Sequence, residues 1–303
     1  MKKIYKHPKN QEMQVEVVLA SKGGDNCPNL YTIRMRYPRI IHGEILTHRV
    51  FSRNGRSSRA VPVKTMLAEL MQIPFVPWHW GKNQKGMQAS EECNEMIKIP
   101  DWGDVNFHGT PKTYSHTREE AWLSARDAAV SHAEAFMAAG YHKQIVNRLL
   151  EPFAWMDTLV TSTSWNNFLH LRDHVDAEPH LKDLARMVRQ AIEEADVEKI
   201  EHDNWHLPYI TQEDRENLGG HKMNLIKVSA ARCARISYKP FNGDASYEAE
   251  LARYDGLVTS DRIHASPMEH QASPDSHWLD PMYSGNFIGW AQYRKLIKGE
   301  YVE

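Results

Sequence analysis

The stretch from Leu30 to Pro38 constrains the fold most. Tyr31, Ile33, Met35 and Tyr37 alternate with Thr32, Arg34 and Arg36, the period-2 pattern of a strand with one buried face. Pro38 stops it. A second run, Met13 to Ala20, precedes it across the turn-rich loop 21–29 and also reads as a strand. Arg39 to Leu46 then has the spacing of a short helix, and Thr65 to Met71 that of another, ending near Pro74.

Helical patterns dominate further on. Thr117-Arg118-Glu119-Glu120 is a capping-box sequence, followed by the stripe Trp122, Ala125, Ala129, Ala133, Phe136 and Met137, with Gly140 as the C-cap. The pattern predicts further helices from about His142 to before Pro152, over Ser164–Leu171, after Pro179 (Leu181, Leu184, Val188, Ala191, Ile192, Ala195), over Ser246–Leu257, and over Asn286–Ile297. Asn224 to Val228 reads as a strand. Helices outnumber strands and the strands cluster, so the expected class is α+β. Residues 74–116 are rich in Trp, Gly and Pro and read as a long aromatic lid or insertion loop. With no internal repeat, the chain is expected to be one domain over 1–303, with a polar joint at 196–222.

Composition narrows the function classes. The net charge is −2 over 303 residues, so no global basic field attracts nucleic acid and any anion site must be local. Cys27, Cys93 and Cys233 lie far apart with no Cys-x-x-Cys pair, which predicts free thiols in a reducing compartment. The first residues lack the apolar core of a signal peptide, and no apolar run nears the roughly 20 residues of a membrane span. A cytoplasmic protein without a membrane partner is expected.

Five segments carry candidate chemistry. Thr47 to Arg59 holds four arginines, one histidine and three serines around Gly55. Arginine forks, hydroxyls and a glycine suit an anion site; a solvated basic turn is the plainer reading. Arg148 sits beside Leu149 and Leu150, with Glu151 as an available ion-pair partner. Asn166 to Arg172 places Phe168, Leu169 and Arg172 on one helix face with Asn167 on the flank, which suits a flat ring with polar edges or an ordinary amphipathic helix. Ser229 to Tyr238 alternates small residues with Arg232 and Arg235. In His264 to His270, Ser266 reads as an N-cap, Pro267 as N1 and Glu269 as N3. The pairs His202/His206 and His264/His270 do not make the three or four convergent ligands of zinc, and no His-Glu-x-x-His, P-loop, Gly-x-Gly-x-x-Gly or Gly-x-Ser-x-Gly occurs. No metal site is expected.

Together these segments resemble the flavin-dependent thymidylate synthases. Their hallmark is Arg-His-Arg, seven residues, then Ser within Ser-x-Arg; this chain has Thr47-His48-Arg49, seven residues, then Ser57-Ser58-Arg59. Asn167-Phe168-Leu169-x-Leu171-Arg172, Arg148-x-x-x-Pro152, Arg232-x-Ala234-Arg235-Ile236-Ser237-Tyr238 and His264-x-Ser266-Pro267-x-Glu269-His270 resemble four further family motifs. The last two come before the hallmark in the family and after it here, so the order looks circularly permuted. Trp290-x-Gln292-Tyr293-Arg294 resembles the family helix just ahead of the hallmark, leaving two segments, 39–46 and 286–297, to complete one site.

The resemblance implies an α/β-type fold around a central, mostly antiparallel sheet. It implies a homotetramer with FAD at subunit interfaces, and one-carbon transfer from methylenetetrahydrofolate to C5 of deoxyuridylate, with NADPH as reductant. It assigns His48, Arg49, Val50, Thr161, Asn167, Ser237, His264, Ser266 and Glu269 to the cofactor. Glu44, Thr47, Arg56, Ser57, Ser58, Arg59, Arg148, Arg172 and Gln292 fall to the nucleotide, with Arg172 and Ser57 catalytic. Four positions depart from the family pattern: Thr47 replaces Arg, Glu44 replaces Gln, Gly55 replaces Glu and Thr161 replaces Asn. Glu44 accepts hydrogen bonds and would suit an amino edge. Deoxycytidylate as substrate, and hydroxymethyl instead of methyl as product, therefore stay open. A non-catalytic nucleotide or single-stranded nucleic-acid binder is a third reading, disfavoured by the net charge.

Overall fold

Two adjacent strands with alternating patterns present an apolar face that needs covering, and the rest of the chain supplies the cover. The computed structural model describes residues 3–24, 27–236, 244–259, 263–274 and 281–300. Strand β1 (Ile4–Lys6), β2 (Gln14–Lys22) and β3 (Leu30–Pro38) lead into a 3-10 turn, Arg39–Ile41, then α1 (His42–Ile45), β4 (Ser52–Gly55) and α2 (Val63–Gln72). Next come β5 (Ile97–Val105), β6 (Pro111–His116), α3 (Arg118–Ala138), α4 (Lys143–Val146), a 3-10 segment Asn147–Phe153, β7 (Trp155–Ser162), α5 (Trp165–Arg172) and α6 (Pro179–Glu193). The remainder is β8 (Glu198–Lys199), α7 (Gln212–Asn217), α8 (Lys222–Ala234), α9 (Tyr247–Val258), a 3-10 turn Ser266–Glu269, β9 (Ala272–Pro274), α10 (Pro281–Ser284), β10 (Trp290–Gln292) and a 3-10 turn Tyr293–Leu296.

The class is α+β. The central sheet runs β1-β2-β3-β7-β4 with antiparallel neighbours, and short β8 joins β2 in parallel. The odd residues of β3 face one side, as the alternation requires: Ile33, Met35 and Tyr37 are fully buried in the main core. Amphipathic α6 covers that side with Leu181, Leu184 and Val188, each fully buried and each stabilising by about 1.5–3 kcal/mol. On the other side, Val18 and Leu159 meet Cys233 of α8. The capping box at Thr117 and Glu120 forms, and Gly140 follows α3 at φ 84°, where a side chain would be strained. Cys93 and Cys233 form no disulfide among the described residues.

Several expectations are corrected. Residues 224–228 lie inside helix α8, not in a strand; Leu225, Ile226 and Val228 are all buried, so no strand alternation distinguishes the segment. Residues 286–297 are not a helix. Trp290–Gln292 pairs with β9 and a 3-10 turn follows, so a helix-for-helix match to the hallmark's neighbour is absent. The helix beginning near His142 continues as 3-10 through Pro152. The lid segment is not all loop: β5 and β6 form an outlying hairpin, with Trp102 and Phe107 exposed, while Phe75 is buried in the main core. Ser266 is a member of its 3-10 turn and not a side-chain cap. The joint contains α7. No helix is long and apolar enough to cross a membrane, and no three His, Cys, Asp or Glu side chains converge on a metal position, both among the described residues.

Candidate active site

The basic stretch folds as a turn after α1 and then as edge strand β4, so its side chains are dealt to different neighbours. Arg53 turns inward and donates to the carbonyls of Ile45, Leu46 and His48 at 3.2, 3.0 and 3.3 Å. A guanidinium there satisfies carbonyls that the end of a short helix leaves free. This holds the Thr47-His48 turn, and sequence reasoning missed it. A Cβ on Gly55 would lie 2.5 Å from the Met156 terminal methyl, the flexible end of a side chain that would have to shift.

Arg172, the last residue of α5, reaches this turn. Its Nε donates to His48 Nε2 at 3.0 Å, one Nη to Glu44 Oε2 at 3.1 Å and the other to Thr47 Oγ1 at 3.0 Å. Helix periodicity explains the aim: Phe168 and Leu169 anchor the helix in the core, leaving Arg172 at its half-exposed edge. His48 lies 5.0 Å from the Phe168 ring, edge-on, and 5.5 Å from the Phe51 ring. Because its Nε2 accepts from Arg172, the neutral ring carries its proton on Nδ1. Burial, then the charges of Arg172 and Arg53, push its pKa down to about 4. Burial raises the Glu44 carboxyl pKa, with Arg172 pulling the other way.

The other basic residues are tied elsewhere. Arg56 makes a bidentate pair with Glu69 of α2 at 2.7 and 2.8 Å. Glu151 gathers three donors: Ser58 Oγ at 2.7 Å, Arg148 Nη1 at 2.8 Å and Arg39 Nη2 at 3.4 Å. Although apolar Leu149 and Leu150 follow it, the Arg148 side chain is about half exposed. Arg49, Val50, Arg59 and Asn167 are exposed, and Arg49 and Arg59 make no ion pair among the described residues. Ser57 is half-buried.

The C-terminal segment reaches the same strand. The 3-10 turn Ser266–Glu269 packs on β4, and buried Gln292 donates to Ser52 Oγ at 3.0 Å and to the Glu269 carbonyl at 3.1 Å. Glu269 pairs with Arg294. Ser266 and His264 are exposed. Thr161 is fully buried within a chain of hydrogen bonds, Ser21–His206–Thr32–Thr161–His270, with links of 2.6 to 2.8 Å. It is a structural junction here, and its hydroxyl is spent on Thr32 and His270. Arg232 makes a bidentate pair with Asp214, and Arg235 pairs with Glu250, so both are structural. Ser237 lies outside the described residues.

The fold thus brings Glu44, Thr47, His48 and Arg172 into direct contact. It sets Gln292 and Glu269 against β4 and gathers Ser58 and Arg148 on Glu151. Arg53 of β4 links the first two groups through the His48 carbonyl, and the Glu151 group shares no hydrogen bond with either among the described residues. Ser52, Arg53 and Glu69 take part in ways sequence reasoning did not single out, whereas Glu151 is the partner it named for Arg148, three residues away.

No family model matches the chain, and no curated protein matches it in sequence. Among solved structures, a flavin-dependent thymidylate synthase, ThyX from Helicobacter pylori complexed with FAD and dUMP, is similar at a TM-score of 0.35 and 14% identity. The match covers 54% of this chain and 67% of that one. A likeness of that size carries neither the fold nor the function.

Proposed function

We propose that the chain is a flavin-dependent transferase that moves a one-carbon unit from methylenetetrahydrofolate to C5 of a deoxypyrimidine monophosphate, dUMP to dTMP in the first instance. The observation that supports it is the contact of Arg172 with Glu44, Thr47 and His48, residues 124 to 128 positions away. Two of the sequence motifs read as one site thereby become one cluster. Gln292 and Glu269 on β4 support a permuted order, because the motifs that come last in the chain lie beside the first.

The donor set around His48 fits FAD. Exposed Arg49 and Asn167 offer N–H donors, and exposed Val50 offers an apolar edge to a flat ring with carbonyl rims. When bound, the flavin would supply hydride transfer. His264, Ser266, Glu269 and Ser237 are assigned to the same cofactor in this reading. The protein's own part is electrostatic. Arg172 is held by three acceptors and presents fixed positive charge where negative charge grows on the pyrimidine. His48, neutral near pH 7, acts as an orienting acceptor and not as an acid. Ser57, Ser58, Arg56, Arg59 and Arg148 form the phosphate side, with NADPH as reductant and a homotetramer as the assembly.

One observation favours a second reading, dCMP as substrate with a methyl or hydroxymethyl product. Glu44 presents a carboxylate, an acceptor suited to a 4-amino group, in the Arg172 cluster. Turnover with dUMP and dCMP side by side, with product masses read directly, separates the outcomes. A purified protein that is colourless and does not take up added FAD would sink the proposal.

A further inference from the structure

The best-formed anion receptor among the residues described above already holds an anion, the protein's own Glu151. One carboxylate oxygen takes the Ser58 hydroxyl at 2.7 Å and the Arg148 guanidinium at 2.8 Å, and the other takes Arg39 at 3.4 Å. The donors come from three separate parts of the chain: the loop after β4, the 3-10 segment before β7 and the turn after β3. The receptor is built, not incidental. Asn147, fully buried, donates to the Ser58 and Val61 carbonyls at 2.7 and 2.9 Å, and Lys143 donates to the Ala60 carbonyl at 3.0 Å. These bonds fix the loop that aims Ser58. A pocket opens beside the carboxylate, walled by Arg36, Arg39, Arg56, Ser58, Glu69 and Trp155, with Arg36 over the Trp155 ring at 6.0 Å.

We propose that Glu151 is an internal stand-in for a phosphate monoester: it occupies the Ser58–Arg148–Arg39 seat when that seat is empty and swings out when a phosphate dianion enters. A hydroxyl and two guanidinium groups form a receptor that does not distinguish a carboxylate from a phosphate by donor type. It does distinguish them by charge, and a dianion gains more from two guanidinium groups than a monoanion does. Occupancy by Glu151 also avoids leaving Arg39 and Arg148 facing each other across an empty seat. The consequence is a threshold. Phosphate must compete with an attached carboxylate, so its apparent affinity is cut by the fraction of time the seat is open. This deepens the reading above and rests on it for the identity of the phosphate's owner, a nucleotide. The receptor itself is tested without one.

The test uses the full chain, inorganic phosphate as probe, and titration calorimetry on wild type and Glu151→Gln. The expected result is tighter phosphate binding by Glu151→Gln, about tenfold if the seat is open about a tenth of the time. Ser58→Ala or Arg148→Gln, added to Glu151→Gln, should abolish the gain. Equal affinity in folded wild type and Glu151→Gln overturns the proposal, as does a gain that survives loss of Ser58 and Arg148. Should Glu151→Gln not fold, the carboxyl-carbon NMR resonance of Glu151 in wild type decides. It should move toward the free-glutamate position as phosphate saturates, and an unmoved resonance overturns the proposal. In a dUMP titration, deoxyuridine should leave the resonance unmoved. Flavin absorbance on the same samples separates the two claims. A colourless protein with the phosphate gain keeps this inference and loses the flavin reading; a yellow protein without the gain does the reverse.

Discussion

Replacing Arg172 by Gln removes one guanidinium that serves three acceptors, and the structure says which loss is felt. Thr47 is exposed and the Glu44 side chain is 41% exposed, so water can replace Arg172 at both. His48 is only 6% exposed, and its Nε2 loses its donor inside the protein. An unsatisfied buried acceptor costs about 1–3 kcal/mol, and the two wet contacts add about 0–1 kcal/mol each. Arg172→Gln should therefore lower the unfolding free energy by about 1–5 kcal/mol, read by urea unfolding. The charge loss has its own signature. Burial is the larger reason that His48 titrates at about 4, and Arg172 is the next. The His48 pKa should rise in Arg172→Gln, followed by ring-proton NMR, while staying below 6.5 because burial remains. Arg172→Lys keeps the charge but not the fork, so its His48 pKa should stay near wild type. If Arg172 stabilises charge developing on substrate, turnover should fall about 100- to 1,000-fold in Arg172→Gln. A folded Arg172→Gln with unchanged stability and unchanged His48 titration refutes the cluster. Unchanged turnover refutes only the catalytic role.

Three more outcomes are expected. Thr161→Val leaves buried His270 Nδ1 without its partner, while the Thr32 hydroxyl keeps His206, at a cost of about 1–3 kcal/mol; Thr161→Val with His270→Phe should recover part of it, and strict additivity would contradict the hydrogen-bond chain. His42 and His48 at about 4 and His270 at about 3 are all held below 6.5 by burial, so the folded state favours their neutral forms. Their contribution is full above 6.5 and is lost progressively as pH falls from there toward the folded values; His270 alone should cost about 2 kcal/mol by about pH 5, and equal urea stability at pH 7 and pH 5 would count against this. Glu44→Gln, alone and with Thr47→Arg, should move the dCMP-to-dUMP turnover ratio toward dUMP, measured by product mass, and an unchanged ratio would remove both positions from base selection.

Local pattern alone determined the parts of this fold whose periodicity is clean. β3 is legible because one face is apolar and the other is not. α6 is legible because its buried residues keep the helical period, and α3 because Thr117 and Glu120 cap it. β7 was not legible. All eight of its residues are buried, so Asp157, Thr158, Thr161 and Ser162 break the apolar run without marking a solvent face. Residues 286–297 carry a helix-like spacing, yet pairing with β9 and the bond from Gln292 to Ser52 make Trp290–Gln292 a strand. The candidate site divides in the same way. Sequence sufficed to single out Arg56, Arg148 and Arg172 as charges in want of partners. Only the tertiary structure decided the partners of two of them, Glu69 for Arg56 and Glu44, Thr47 and His48 for Arg172; Glu151, three residues from Arg148, was already in view. An arginine's charge is written in its residue type. Its role depends on which acceptors lie within about 3 Å, and chain folding sets those distances, for Arg172 across gaps of 124 to 128 residues.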